Sequence, residues 1–122
     1  MENSLDLNDP LSWYLRELTS IQPMTEEEET DQLSRVRGQD AQSEVARRRL
    51  IEAKLSLVVA IAERYASPRT YVLDLVEKGN EALILALTTF RENSGSSFTT
   101  HAVACIENAI AKAECEAKSP SE

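Results

Sequence analysis

The sequence predicts an all-α fold, a bundle of about five helices. The chain has 122 residues but only three glycines and four prolines, so residues that interrupt helices are scarce. Alanine, leucine and glutamate, which favour helices, are plentiful. In the long segments, apolar residues recur every three or four positions, as on one side of a helix. The length suffices for one domain with a modest core.

Two short helices are predicted near the start of the chain. Asp9 is a candidate N-cap, and Pro10 follows at the first helical position, where proline is tolerated. The second helix opens with Thr25 and Glu28 at the spacing of a capping box. Gly38 ends this second segment, because glycine is common just beyond the end of a helix.

A long third helix is predicted from about Asp40 to Tyr65, because one apolar stripe continues through the whole segment. Pro68 follows shortly afterwards and cannot continue the helix. The stripe consists of Ile51, Leu55, Val58, Ala62 and Tyr65.

Two further helices complete the prediction. One runs from about Val72 to Phe90 and carries a strip of small residues, beginning at Gly79, where another helix can approach closely. The last starts near Phe98, with Ser97 or Thr99 as its cap. The expected domain organisation is a flexible N-terminus over residues 1–8, one helical domain over 9–116 and a disordered tail over 117–122.

Composition and charge exclude several classes of function. Thirteen Lys and Arg face 21 Asp and Glu, a net charge of −8, which is the wrong sign for tracking a nucleic-acid backbone. The two cysteines lack the spacing of a zinc site or a disulfide framework, and a reduced, cytoplasmic location is expected. No segment predicts a membrane span or a signal peptide. No acid pair, nucleophile–base pair or glycine-rich phosphate loop predicts an enzyme or a cofactor.

Five blocks of the sequence resemble a known family in their order and spacing, over about residues 9–113. They are similar to successive segments of the bacterial RNA polymerase sigma factors of the sigma-70 family. The most specific are "RRLIEAKLSLVVAIAERY" and "LDLVEKGN". The five blocks are "DPLSWYLREL", "TEEEE", "RRRLIEAKLSLVVAIAERY", "VLDLVEKGNEALILALTTF" and "FTTHAVACIENAI".

The resemblance implies a partner for the helix over residues 73–90, which in sigma factors docks on a coiled coil of the polymerase clamp. Much of the family pattern D-L-I-Q-E-G-N is retained here, although Glu77 replaces its Gln and Lys78 replaces its Glu. RNA polymerase core is therefore the expected partner. The residues implied in docking are Asp74, Glu77, Lys78, Asn80, Glu81 and Ile84.

The resemblance also implies a role for residues 98–113, which in sigma factors read and melt the promoter −10 element with aromatic and basic side chains. Here the paired Trp of the family are Ala104 and Cys105, and an Arg is Glu107. Stacking of a base on an aromatic side chain is worth about 1–3 kcal/mol, so DNA binding by this chain alone is expected to be weak or absent. The corresponding positions are Phe98, Thr100, His101, Ala104, Cys105, Glu107 and Asn108.

One alternative chemistry on this last helix is a metal site. His101 and Cys105 are four residues apart and share a helix face, as two metal ligands can. No second pair of ligands lies nearby in the sequence, so neither a metal nor another cofactor is predicted.

Three functional hypotheses remain open from the sequence. The first is a sigma-like protein that binds polymerase core and modulates transcription without opening promoters. The second is a sigma mimic whose partner is an anti-sigma factor or another regulatory protein. The third is the core-binding fragment of a divergent but working sigma factor.

Overall fold

A computed structural model describes residues 9–38, 40–66, 71–91 and 95–118, with no side-chain description for 117 and 118. Over these ranges the chain is all-α, as the sequence predicts, with six helices and no strand. The helices are α1 (Pro10–Leu18), α2 (Glu26–Val36), α3 (Ala41–Ala53), α4 (Leu55–Tyr65), α5 (Val72–Thr89) and α6 (Phe98–Lys118).

The chain divides into two compact units, Met1–Ser56 and Leu57–Glu122. The single domain over residues 9–116 stays a prediction. Helix α6 ends at Lys118, so the first two residues of the tail predicted over 117–122 are helical instead. The predicted flexible N-terminus, residues 1–8, and the remainder of the tail lie outside the described residues.

The helix starts predicted in the first unit are confirmed. Asp9 caps α1: its Oδ1 atom accepts a hydrogen bond from the Leu11 N–H at 3.2 Å. Thr25 and Glu28 form the reciprocal capping box of α2, in which each side chain accepts from the other residue's backbone N–H, at 3.1 and 3.0 Å. These contacts satisfy N–H groups that a helix leaves without intrahelical partners.

The prediction of one continuous third helix is wrong at one point, because the structure interrupts that helix at Lys54. There the backbone leaves helical geometry (φ −106°, ψ 0°), and the Lys54 N–H bonds to the Ile51 carbonyl at 3.0 Å. The Lys54 ammonium reaches α2, where it lies 2.8 Å from Oε1 of Glu29. Both side chains are mostly buried, so the interruption coincides with a buried contact between α2 and the end of α3.

In the second unit, α5 and α6 pack closely and run antiparallel. Thr89, at the end of α5, contacts His101 near the start of α6 at 3.0 Å. The close approach lies at Gly79, which the sequence analysis placed on the small strip. A Cβ built at Gly79 would lie 2.6 Å from Cγ1 of Val58 and 3.0 Å from Cδ1 of Ile110. Any side chain at this position would force the neighbouring side chains to shift.

Candidate docking surface and the exposed side of α6

The residues predicted to dock a partner lie together on α5, and we call them the docking face. They recur every three or four positions, which places them on one side of the helix. All are exposed except Asn80, which is half-buried. The opposite side of α5 carries Leu75, Gly79 and Leu83 into the core of the unit. The docking face consists of Asp74, Glu77, Lys78, Asn80, Glu81 and Ile84.

Two large apolar side chains stand in solvent beside these charges. Ile84 is 53% exposed and Leu85 is 62% exposed. The sequence analysis included Ile84 but missed Leu85. The signal was available, because Leu85 follows Lys78 by seven residues and therefore lies on the same side of a helix. Exposed apolar groups flanked by charges are typical of protein–protein contacts.

The charged groups of the docking face are available to a partner. Among the residues that the structure describes, Asp74, Glu77, Lys78 and Glu81 form no ion pair and no side-chain hydrogen bond. Their charged groups therefore face solvent in the isolated chain. A partner with complementary charges could bind these groups without first breaking an internal contact.

A shallow groove borders the docking face and extends it onto α6. Its volume is about 350 Å³. Leu85 lies on the α5 side, and the side chains of Lys112 and Glu116 lie on the α6 side. Neither α6 residue was singled out from the sequence, since neither stands at a position where the resemblance implies contact with DNA. The floor is formed by Ala82, Ala109 and Ala113.

Phe98, the one aromatic side chain retained on α6, belongs to the core. It is 1% exposed, and its ring meets that of Phe90 edge-on, with centroids 5.5 Å apart and planes at 70°. The helix start beside it is capped by Ser97, whose Oγ atom accepts from the Thr100 N–H at 3.1 Å. Phe98 therefore holds α6 against α5, and its ring is not available to stack on a base.

His101 and Cys105 share one side of α6, as the sequence predicted, but their contacts are internal. Nε2 of His101 lies 3.0 Å from Oγ1 of Thr89 and 3.8 Å from Sγ of Cys105. The imidazole also packs at a tilt against the Phe90 ring. Within the described ranges no group of three His, Cys, Asp or Glu side chains could hold a metal ion. The geometry assigns His101 to the junction between α5 and α6.

The remaining predicted positions on α6 carry no aromatic side chain on which a base could stack. Ala104 and Asn108 are exposed, and Thr100 is exposed beside the helix cap. Cys105 is half-buried, and its thiol is not in a disulfide. Small side chains at these positions offer no aromatic surface for stacking.

Glu107 is the acidic residue at the position where the family carries an arginine, and it forms a cluster with α4. Its Oε2 atom lies 3.1 Å from Nη2 of Arg64, and the Tyr65 hydroxyl donates to the same oxygen at 3.2 Å. Desolvation, with a smaller contribution from Glu107, raises the pKa of the Tyr65 phenol above its usual value, although Arg64 opposes this. The sequence did not predict these contacts, because Arg64 and Tyr65 precede Glu107 by 43 and 42 residues. Tyr65 was predicted only as part of the apolar stripe.

In the part of the chain that the structure describes, no helix combines the length and apolar character needed to cross a bilayer.

Comparison with known proteins places these helices in a family. The family model described as sigma-70 region 2 matches residues 50–113. An RNA polymerase sigma factor SigA from a Bacillus species is 38% identical over 109 residues, which cover 89% of this chain and 28% of the relative. The SigA protein of Clostridium acetobutylicum is 38% identical over 107 residues, 88% of this chain.

The chain spans only about 28% of the length of each SigA protein. The family model covers α4 and α5 completely and most of α6, the helices that carry the docking face and the Glu107 cluster. On this family match and these identities, the chain belongs to the sigma-70 family.

Proposed function

We propose that this chain is a sigma-factor-like regulator of transcription that binds RNA polymerase core through the docking face. It acts in the cytoplasm, catalyses no reaction and does not open promoters by itself. The family membership and the identity of its relatives as RNA polymerase sigma factors support the general role. The more specific proposal, binding through the docking face, rests on the exposure of that face.

The docking face supports binding because its charges and apolar groups are exposed on a helix whose other side is packed. That packed side includes Leu75 and Leu83, which are buried. A helix already packed in this way needs less ordering on binding than an unfolded segment. The partner expected from the family is the coiled coil of the polymerase clamp. Two packed helices of that kind can lie along α5.

The exposed side of α6 supports the proposal that the chain does not open promoters by itself. Melting requires side chains that hold unstacked bases, and the exposed positions carry Ala104 and Asn108 instead. The only aromatic residue retained, Phe98, lies in the core. Loss of two stacking platforms would weaken binding to single-stranded DNA by about 2–6 kcal/mol if the contributions add. Promoter opening therefore requires another protein in this proposal.

The test is binding to RNA polymerase core, with Asp74→Ala plus Glu81→Ala as the docking variant. Both side chains are exposed, so their removal leaves the core of the unit intact. Asn80 is a poorer choice because its Oδ1 atom is buried. The matched control is Glu52→Ala plus Glu63→Ala, which removes two exposed acids from α3 and α4 and changes the net charge equally.

We expect the unaltered chain and the control to bind core alike, and the docking variant to bind at least about tenfold more weakly. Equal weakening in the control would contradict a specific docking face. Absence of binding at micromolar concentration would contradict the proposal, and an anti-sigma factor would then be the partner to test. Sequence-specific binding to single-stranded −10 DNA would favour a divergent working sigma factor.

A further inference from the structure

We propose that the groove between α5 and α6 binds a second copy of this chain, which then covers part of the docking face. The evidence is the arrangement of charged and apolar side chains around the groove. Each wall contributes one lysine and one glutamate, and all four side chains are exposed. Among the residues that the structure describes, none of the four forms an ion pair. They are Lys78 and Glu81 on α5, and Lys112 and Glu116 on α6.

This arrangement of charges is complementary to itself. In a contact between two copies related by a two-fold axis, residue i of one copy meets residue j of the other, and j meets i. Glu81 and Lys112 each lie between the outermost groove residues of their own helix. A two-fold axis through the middle of the groove therefore brings Glu81 of each copy towards Lys112 of the other. The same ion pair forms twice.

The apolar part of the groove adds a surface that association would remove from water. Leu85 is 62% exposed at the α5 wall. The floor of Ala82, Ala109 and Ala113 has only short side chains, so a helix of the second copy can approach closely. An exposed leucine flanked by charges is typical of protein–protein contacts.

The balance of charge favours a second copy over a partner of one charge sign. The chain carries a net charge of −8, so two copies repel each other over most of their surface. The groove has equal numbers of lysines and glutamates, and approach is least opposed there. A strongly acidic or basic partner would instead meet two charges of its own sign.

Self-association would regulate the docking face, a consequence that rests on the proposed function. Lys78 and Glu81 belong both to the groove and to the docking face. A second copy in the groove and RNA polymerase therefore exclude each other. Because the groove is small, the association is weak, with a Kd on the order of 10–100 µM. Dilution frees the docking face, whereas a high local concentration covers it.

The experiment measures the mass of the purified chain by sedimentation equilibrium, over about 1–300 µM and without polymerase. Reducing conditions prevent cross-linking through Cys115, which is exposed. The variants Glu81→Lys and Lys112→Glu each place like charges opposite each other in the dimer. Their matched controls are Glu63→Lys and Arg48→Glu, which reverse exposed charges that form no ion pair with another described residue. Thermal melting checks that every variant folds.

We expect the unaltered chain and both controls to form dimers, and each groove variant to associate at least about tenfold more weakly. An equimolar mixture of Glu81→Lys and Lys112→Glu should associate as the unaltered chain does, because each copy carries the charges that the other lacks. Leu85→Ala should weaken association severalfold without charge reversal.

Four results would overturn the proposal: a monomer at all concentrations, equal weakening in the controls, a mixture that fails to associate, or a mass that rises beyond two copies. The last result excludes a two-fold contact, since such a contact closes at the dimer. The absence of polymerase keeps this test separate from the docking test. Failure of either one leaves the result of the other unchanged.

Discussion

Helices α5 and α6 share one core but differ in what they leave exposed. Helix α5 shows charges with no internal partner and two large apolar side chains. Helix α6 shows alanine, asparagine and an acid that is already paired with α4. Both helices keep their buried sides, Leu83 on one and Ile106 on the other. The difference indicates that the exposed side chains of a helix can change while its buried side chains preserve the fold. Packing in the core constrains only the buried side of each helix.

The largest expected effect is a difference in the free energy of unfolding between two leucine-to-alanine variants on opposite sides of α5. Leu83 is fully buried, whereas Leu85 is 62% exposed. Leu83→Ala should lower the free energy of unfolding by about 3 kcal/mol, because it removes buried contacts and leaves a cavity. Leu85→Ala should change it by less than about 0.5 kcal/mol. Urea denaturation measures both, and similar losses in the two variants would contradict the division into a core side and a docking side.

A somewhat smaller effect is expected at Gly79, where α5 packs against α4 as well as α6. In Gly79→Ala the added Cβ would lie 2.6 Å from Cγ1 of Val58, a β-branched side chain with little rotameric freedom in a helix. We expect a loss of about 2 kcal/mol, although alanine favours helices over glycine. The control is Gly38→Ala, whose nearest contact would be an ordinary 3.5 Å. Thermal unfolding that is unchanged or raised by Gly79→Ala would contradict close packing at this point.

The smallest effect concerns the ionisation of Tyr65. Its pKa is raised above 10.0, mainly by desolvation and also by Glu107, so it should ionise at higher pH than an exposed tyrosine. A phenol whose pKa is higher in the folded chain stabilises the fold fully below the unfolded pKa. That stabilisation is lost as the pH rises through the folded pKa.

Ultraviolet titration, with Tyr65→Phe to identify the residue, measures this pKa directly. In Glu107→Ala the pKa should fall, because both the hydrogen bond to the carboxylate and its charge are removed. An unchanged pKa in that variant would show that desolvation alone is responsible.

Local features could be predicted from the sequence because they depend on neighbouring residues. The cap at Asp9, the capping box at Thr25 and the start of α6 at Phe98 each follow from a few adjacent side chains. Helical periodicity predicts which side of α5 is exposed, whereas the docking role of that side is implied only by the family resemblance. Such features need no knowledge of which helices meet.

Contacts between distant residues could not be predicted in this way. At the interruption, Lys54 pairs with Glu29, which lies 25 residues away on another helix. The partners of Glu107 are likewise on α4, and periodicity does not report which surfaces of two helices face each other. The acidic residue at position 107 is plain from the sequence, whereas its pairing with Arg64 is not.

The ring contact between Phe90 and Phe98 has a consequence for the order of folding. The two rings meet at 5.5 Å although they are close in sequence, so little chain entropy is lost in closing the loop between them. Local contacts of this kind form quickly. The hairpin of α5 and α6 is therefore expected to assemble before contacts of longer range, such as Arg64 with Glu107, and to serve as the nucleus onto which α4 folds.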